Sequence, residues 1–400
     1  MKVLIVGGGI VGCAAACELA RAGCEVVVFE RAAPGAEASS DAAGLLAPID
    51  HSTETSFARL ALASWRLYPD VVRDLQERTG IDVEYVTRGT LYPTSPARKP
   101  RDVAQWAALA EFGVETLEGD EIHRREPALS PEIRHAIFVK GDHWLNSHRL
   151  VLAYAQAAAS AGVEIRTGSS VSRLIVEADR ARGVVTEGER IDGDAVLLAA
   201  GAWSGELMAG LGAPLRIEPR RGQMIALAHV PTVVTHCVHG EVYLVPRPSG
   251  ELLVGATVER AGFQRAVTAE GIAGLLRAAI ELVPSARELS ITRTWCGFRP
   301  WAPDSLPVLG PWPGVDGLFV ATGHFRNGIL LAPITARLMT AWITGGEPGL
   351  PVKDFLPDRF ARGHATPTRQ SHECRASAGR DATGGSRMSG QKPSEHGEAT

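Results

Sequence analysis

The chain has 400 residues, 45% hydrophobic and 22% charged, with a net charge of −4. This length supports two domains with separate cores, and the composition is that of an ordinary globular protein. The absence of a dense basic run argues against a nucleic-acid partner, and apolar stretches such as Ala195 to Ala202 are too short to span a bilayer.

Lys2 to Gly7 has the pattern of a buried strand, Ile10 to Ala22 that of a helix ended by Gly23, and Glu25 to Glu30 that of the next strand. This is a βαβ unit in about thirty residues, so a parallel sheet is expected. Lys2 and the apolar run after it resemble a signal peptide, but the glycines sit where strand turns into helix and no small-residue cleavage site follows. Ala36 to Asp50 is small and irregular. Thr53 to Arg78 reads as one or two helices interrupted near Pro69, Val83 to Pro93 as strands, and Pro100 to Phe112 as a helix. Asn146 or Ser147 caps a helix running to Ala161, followed by strands at Val163 to Thr167 and Val171 to Glu177. Ile191 to Trp203 is a strand ending in Ala-Gly, the close backbone approach a flat ligand requires.

From Gln223 to Val258 the pattern turns antiparallel, with Pro248-Ser249-Gly250 in a hairpin turn. Thr268 caps a helix to Val283, Ser290 to Phe298 is a strand, and Leu318 to Gly345 is a strand, tight turn and helix. The expected fold is α/β: a Rossmann-like domain from residues 1–80, 144–215 and 299–362, and a smaller α+β domain with a mainly antiparallel sheet from 81–143 and 216–298. The tail, 363–400, has almost no large apolar residues and is expected to be disordered.

Six cysteines show neither a C-x-x-C pair nor zinc-like spacing, so no metal site is expected and a reducing cytoplasm fits. Cys13 and Cys17 read as small buried hydrophobes.

Gly7-x-Gly9-x-x-Gly12 follows a strand and opens a helix, and Glu30 ends the second strand about twenty residues on. The glycines allow a tight turn, close approach to a pyrophosphate, and helix–strand packing, while the carboxylate accepts from ribose hydroxyls. A Glu there suits NAD or FAD, and the single such unit favours FAD alone. GHFRNGILLAP, Gly323 to Pro333, is a second strand–turn–helix opening whose N–H groups attract negative charge.

VGGGIVG, Glu30, SSDAAG, VLLAAGAWS, YLVPR, VGAT, GFRP and GHFRNGIL together resemble the D-amino-acid oxidase superfamily of FAD amine oxidases, most of all its glycine oxidase branch associated with thiamine biosynthesis. The resemblance covers about residues 1 to 360. It implies noncovalent FAD under an antiparallel sheet, hydride transfer from a small amine or amino acid to flavin N5, hydrolysis of the imine to a 2-oxo acid and ammonia, and reoxidation by O₂ to give H₂O₂. It also implies a homotetramer. Carried over onto this sequence, the substrate-carboxylate arginine is Arg299, the pocket tyrosine Tyr243, and a second pocket arginine Arg326. The FAD contacts carried over are Ile10, Val11, Glu30, Arg31, Ala38, Ser39, Ala43, Gly44, Leu45 and Val171, together with His324, Phe325, Arg326, Asn327, Gly328, Ile329 and Leu330; Gly7, Gly9 and Gly12 of the first turn and Gly201 at the Ala-Gly strand end join them from the motif reading.

Each of these has a plainer reading. Arg299 reads equally as a surface arginine stacked on Trp301, and Tyr243 as a packed strand tyrosine. Asp41 reads as a solvent-facing loop cap, and His324 as a shaper of the turn, since hydride transfer needs no strong base. Cys296 falls in the region where some sarcosine-oxidase relatives attach flavin, although its flanks favour noncovalent FAD. Glu241 stands where the best-known glycine oxidase has a histidine, and Val258 where a methionine occurs, so substrate preference among glycine, sarcosine and small D-amino acids stays open. Two other readings remain: a D-amino-acid dehydrogenase using a quinone or another acceptor, and a non-catalytic flavin-binding module.

Overall fold

The framing elements are, in chain order, β1 (Lys2–Val6), α1 (Ile10–Arg21), β2 (Glu25–Phe29), α2 (Ala38–Asp41), α3 (Ser56–Trp65), α4 (Tyr68–Thr79), α5 (Ser147–Ser160), β3 (Glu218–Ala228), β4 (Tyr243–Pro246), β5 (Glu251–Gly255), α6 (Ala269–Leu282), β6 (Ile291–Trp301), β7 (Leu318–Thr322) and α7 (Gly328–Ile343). They come from a computed structural model that describes residues 1–48, 55–94, 112–212, 215–228, 230 and 233–360. The helix expected at 100–112 falls almost wholly outside these residues, as does the tail expected to be disordered.

Six strands form one sheet in the order Val308–Pro311, β7, Ala195–Leu198, β1, β2, Glu164–Arg166. All pairs are parallel except the edge pair of Val308–Pro311 with β7. β1 is continuously apolar because both faces are covered. Val3 and Ile5 join a core with α1, α3, α4, α5 and α7. Leu4 and Val6 face a second core that includes the three-stranded sheet of Val171–Glu177, Arg180–Thr186 and Glu189–Asp192.

The second large sheet has eight strands in the order β6, β3, β5, β4, Cys237–His239, Thr90–Thr94, His135–Val139, Val114–Glu118. Its pairs are antiparallel apart from Cys237–His239 with Thr90–Thr94. Strand alternation divides its residues cleanly. Ile225, Leu227, Leu244 and Val254 pack with Leu275 and Ala279 of α6. Met224, Ala226, Val245 and Leu253 face the other way, onto Ala43 and Trp144. That second face meets the dinucleotide-type unit.

Most local expectations hold, with four adjustments. The run Ile191 to Trp203 is not one strand: its start ends Glu189–Asp192 of the three-stranded sheet, Ala195–Leu198 joins the six-stranded sheet, and Gly201–Trp203 is a 3-10 turn. Asn146 caps α5 by accepting from Arg149 N–H at 3.2 Å, and Thr268 caps α6 by accepting from Gly271 N–H at 3.1 Å. The break between α3 and α4 lies at Arg66–Leu67, and Pro69 sits inside the first turn of α4, where its missing N–H costs nothing. Of Val83 to Pro93, only Thr90 onward is strand. Glu84 has φ 54° and its N–H is taken by Asp82 Oδ1 at 2.8 Å, which interrupts the extended run. β6 runs on to Trp301, three residues past its expected end, and Pro300 is tolerated because β6 is an edge strand.

Candidate active site

At the first βα turn each glycine answers to a specific neighbour. Gly7 has φ 111°, and a Cβ there would lie 2.5 Å from the Ala199 carbonyl oxygen. A Cβ on Gly12 would lie 1.9 Å from the Gly7 oxygen, so α1 can approach the strand only with glycine here. Glu30 closes the cradle: its Oε2 accepts from Gly8 N–H at 2.8 Å and its Oε1 from Ala32 N–H at 2.9 Å. Gly9 begins α1 without a side-chain cap, and Ile10 N–H donates to Ser39 Oγ at 3.0 Å. The positive end of the helix dipole therefore opens onto residues 38 to 45, the arrangement that receives a pyrophosphate. Ile10, Val11 and Gly12 form the first turn of that helix.

The 38–45 segment is pinned to the large antiparallel sheet by groups the sequence reading did not single out. Arg247, buried and with its pKa pushed down to about 10 by burial, donates to the carbonyls of Leu145 and, at 2.9 Å, Ala43. Trp144 Nε1 donates to Pro246 O at 2.9 Å, and Ser147 Oγ to Ala42 O at 2.7 Å. Gly44 has φ 74° and lies against the Leu145 carbonyl, while Leu45 pairs with Trp144. The arginine of YLVPR was the available signal for this tie.

On the sheet face toward that segment, register aligns Tyr243 with Gly255, Gly255 with Met224, Met224 with Trp295, Gly222 with Gly297, and Arg220 with Arg299. Directly opposed residues share a face, so three glycines on it leave room for neighbouring side chains to lie close against the sheet. The Tyr243 ring packs against Gly255, where a Cβ would come 2.6 Å from it, and its hydroxyl approaches Met224 Sδ at 3.7 Å. The Arg299 guanidinium lies over Gly222 and donates from Nη1 to Thr257 O at 3.0 Å. Burial pulls the Arg299 pKa below its ordinary value; Tyr243 beside it works the other way, and the charge of Arg326 adds to the lowering. Arg299 does not stack on Trp301: Arg220 takes that position, 4.0 Å above the ring.

Thr257 is itself braced. Its N–H donates to Gln223 O at 3.3 Å, and its hydroxyl accepts from Gln223 N–H at 2.8 Å and donates to Glu259. Glu259 also pairs with Arg221 and accepts from Gln223 Nε2 at 2.7 Å. This support under Arg299 was not legible beforehand, since its members are joined only by strand register.

Gly323 to Pro333 forms the expected turn. Phe325 takes φ 50° and its N–H donates to Pro300 O at 2.8 Å; Asn327 then precedes α7, which begins at Gly328. The turn therefore hangs on the strand that carries Arg299. Buried His324 shares a hydrogen bond with Thr335 Oγ1 at 3.1 Å, and burial pushes its pKa down to about 4, leaving it neutral. Ser64 Oγ donates to Leu330 O at 2.6 Å and Tyr68 Oη to Ile329 O, which fixes the helix opening from below. Arg326 is exposed. Arg31 lies 3.7 Å over the Trp203 ring and pairs with Glu37 at 2.5 Å. Gly201, φ 52°, opens the turn that carries Trp203, and Val171 begins the three-stranded sheet. Ala38 and Ser39 lie on α2.

Asp41 requires a correction. Its carboxyl is not a solvent-facing cap: Oδ2 is buried without a hydrogen-bond partner among the described residues, and it lies against Gly297, where a Cβ would be 2.6 Å away. Asp41 as a whole is half-buried, with Oδ2 turned in against the sheet.

These features coincide with known proteins. Residues 2–342 match the DAO family, described as FAD dependent oxidoreductase. The chain belongs to this family. It is 34% identical over 360 residues to a glycine oxidase of Pseudomonas aeruginosa, covering 89% of this chain and 98% of that one. It is 35% identical over 384 residues to the bifunctional protein ThiO/ThiG of Trichormus variabilis, covering 94% of this chain and 58% of that longer protein. The crystal structure of glycine oxidase from Geobacillus kaustophilus superposes with a TM-score of 0.85 at 34% identity, covering 89% and 98% of the two chains. Like the rest of the DAO family, the protein is an FAD-dependent oxidoreductase, and the cradle fits that cofactor: glycines required at positions 7 and 12, a carboxylate at the end of β2, and a helix start whose N-cap glycine supplies no capping side chain. No helix among the described residues is long and apolar enough to cross a membrane.

Proposed function

We propose that the protein oxidises glycine and similar small amines to imines, which hydrolyse to a 2-oxo acid such as glyoxylate and ammonia. One observation carries this reading. Arg299 and Tyr243 lie side by side on a glycine-cleared sheet face that looks onto the Ala43–Leu45 segment. A guanidinium fork holds a carboxylate through two hydrogen bonds, and the Arg299 guanidinium and Tyr243 ring, seated over Gly222 and Gly255, present their polar ends on one sheet face.

FAD would be held by Gly7 to Gly12, Glu30, Arg31, Ala38, Ser39, Ala43 to Leu45, Val171, Gly201 and the 324–330 turn; when bound it supplies the electron-pair acceptor that takes hydride from the amine carbon. The chain's own part is positional. Arg299, aided by Tyr243 and by the charge of Arg326, binds and orients the carboxylate, and fixing the reacting carbon lowers the entropic part of the barrier. Noncovalent attachment is supported by strand alternation: Cys296 opposes Gln223, whose side chain bonds Thr268 and Glu259, so its thiol lies on the face away from Tyr243. We also propose that the two large sheets are the cores of two domains, that O₂ is the acceptor, that the chains assemble as a homotetramer, and that the product serves thiazole supply for thiamine.

The test is reduction of the FAD-loaded protein by glycine, sarcosine, D-alanine or D-proline under argon, repeated in air with a peroxide readout. Bleaching by glycine with peroxide in air is the expected result. A flavin that stays oxidised with glycine and sarcosine would overturn the reading. Bleaching without peroxide would assign a different acceptor.

A further inference from the structure

Asp41 is a half-buried residue with no assigned role, and one of its carboxyl oxygens is fully shielded from water. Its Oδ2 has no hydrogen-bond partner among the described residues. The charged and titratable groups around it come from four directions. Arg293 and Arg299 lie on β6, Arg265 on the segment before α6, Glu37 on its own segment, and His148 on α5, where Nδ1 meets the neighbouring Ser40 hydroxyl at 2.9 Å. Each of the three arginines is engaged elsewhere: Arg265 with Glu37 and, at 3.3 Å, Cys296 O; Arg293 with Glu251 at 3.1 Å; Arg299 with Thr257 O at 3.0 Å.

The carboxyl's position is decided by both flanks. Ser39, two residues before it, takes the Ile10 N–H at the pyrophosphate end of the cradle. Ala43 to Leu45, just after it, pack under the sheet face that carries Tyr243. A cofactor stretched from one to the other runs along Asp41. Across from Asp41 the sheet presents Gly297, whose missing side chain admits the carboxyl against that sheet face.

We propose that Asp41 touches the bound FAD and takes up a proton as the cofactor receives electrons, so that this one carboxyl sets the cofactor's potential and makes it pH-dependent. The inference rests on the FAD placement given above. Oxidation of an amine to an imine releases two electrons and two protons. One proton leaves with the electron pair as hydride; the other is shed when the iminium becomes neutral. The Asp41 carboxylate takes up one proton from that release or from water, which removes a negative charge as electrons arrive. Burial, the largest influence on it, raises its pKa to about 7, so the group is poised between its two forms at neutral pH.

The experiment compares the two-electron potentials of FAD-loaded wild type, Asp41→Asn and Asp41→Ala, equilibrated against a redox dye at pH 5.5 and 8.5, after confirming one FAD per chain from the absorption spectrum. Chemical reductant drives the titration, so the result is independent of whether glycine is a substrate. At pH 8.5 both variants should show a reduced-to-oxidised ratio about tenfold above wild type at the same dye potential, equivalent to about 30 mV for a two-electron couple. At pH 5.5, where wild-type Asp41 carries its proton, the three proteins should coincide. Coincidence at both pH values, or the same offset at both, overturns the proposal. A protein that fails to oxidise glycine yet shows the pH-dependent offset overturns the proposed substrate and leaves Asp41 in this role.

Discussion

Gly222→Ala tests the substrate site without touching a residue that would contact substrate. The backbone of Gly222 is not in the left-handed region, so alanine is conformationally acceptable there. The obstacle is steric: the new Cβ would stand 2.0 Å from Arg299 Nη1, 2.4 Å from Cζ and 2.5 Å from Nη2, whereas ordinary contact begins near 3.4 Å. The guanidinium must therefore lift by about 1.4 Å, the difference between 3.4 and 2.0 Å, and it gives up the Thr257 carbonyl that aims it. A hydrogen bond to a charged group is worth about 1.5–3 kcal/mol, so loss of one arm of the fork should cost about 10- to 150-fold in kcat/KM for glycine. The same loss should appear in the Kd for a small carboxylate competitor such as glycolate, read from the flavin spectrum. Unchanged affinity for both ligands, in a variant with normal FAD content, would refute Arg299 as the carboxylate anchor.

Glu259→Gln keeps the size of the brace under Thr257 but removes its charge; KM for glycine should rise several-fold with little change in kcat, and a fall in kcat alone would count against a positioning role. Glu30→Ala removes the acceptor for Gly8 and Ala32 N–H, and titration of the apoprotein should show FAD affinity weakened by about tenfold or more. Gly274 lies in α6, and a methyl group added there would meet nothing within 4 Å, so Gly274→Ala should stabilise the protein by about 0.5–1 kcal/mol in denaturant unfolding. Burial pushes the pKa of both His143 and His324 down to about 4 from 6.5. The unfolded chain thus binds more protons between those values, and stability should be full above pH 6.5 and fall as pH drops toward 4, by at most about 3 kcal/mol per histidine. Denaturant unfolding at pH 7.5 and 5 measures this, and a flat profile would show that neither ring is held neutral.

Much of the frame was legible because its signals are local. β1, α1 and β2 follow from a buried apolar run, a glycine-opened helix and a second run, and Asn146 and Thr268 cap where their short polar side chains can reach the third N–H. The turn at Gly323 to Gly328 likewise shows as a strand that must become a helix. The break before α4, the irregular path through Glu84 and the length of β6 were less legible, because each depends on a hydrogen bond or an edge position supplied by another element.

The residue types for cofactor and substrate are therefore present in the linear chain: the three glycines and Glu30 of the cradle, an arginine in GFRP, a tyrosine in YLVPR. How they are seated is not. Gly222, Gly255 and Gly297 are inconspicuous in sequence, and only the closed sheets bring each under the Arg299, Tyr243 or Asp41 side chain that fills its space. Register also decided that Arg220, not Arg299, covers Trp301, and that one oxygen of the Asp41 carboxyl is turned in against Gly297. Helix starts and turns depend on neighbours a few residues away, which a sequence displays; burial of a charge and the floor of a pocket depend on which distant backbones lie within a few ångströms, and that exists only once the sheets are closed.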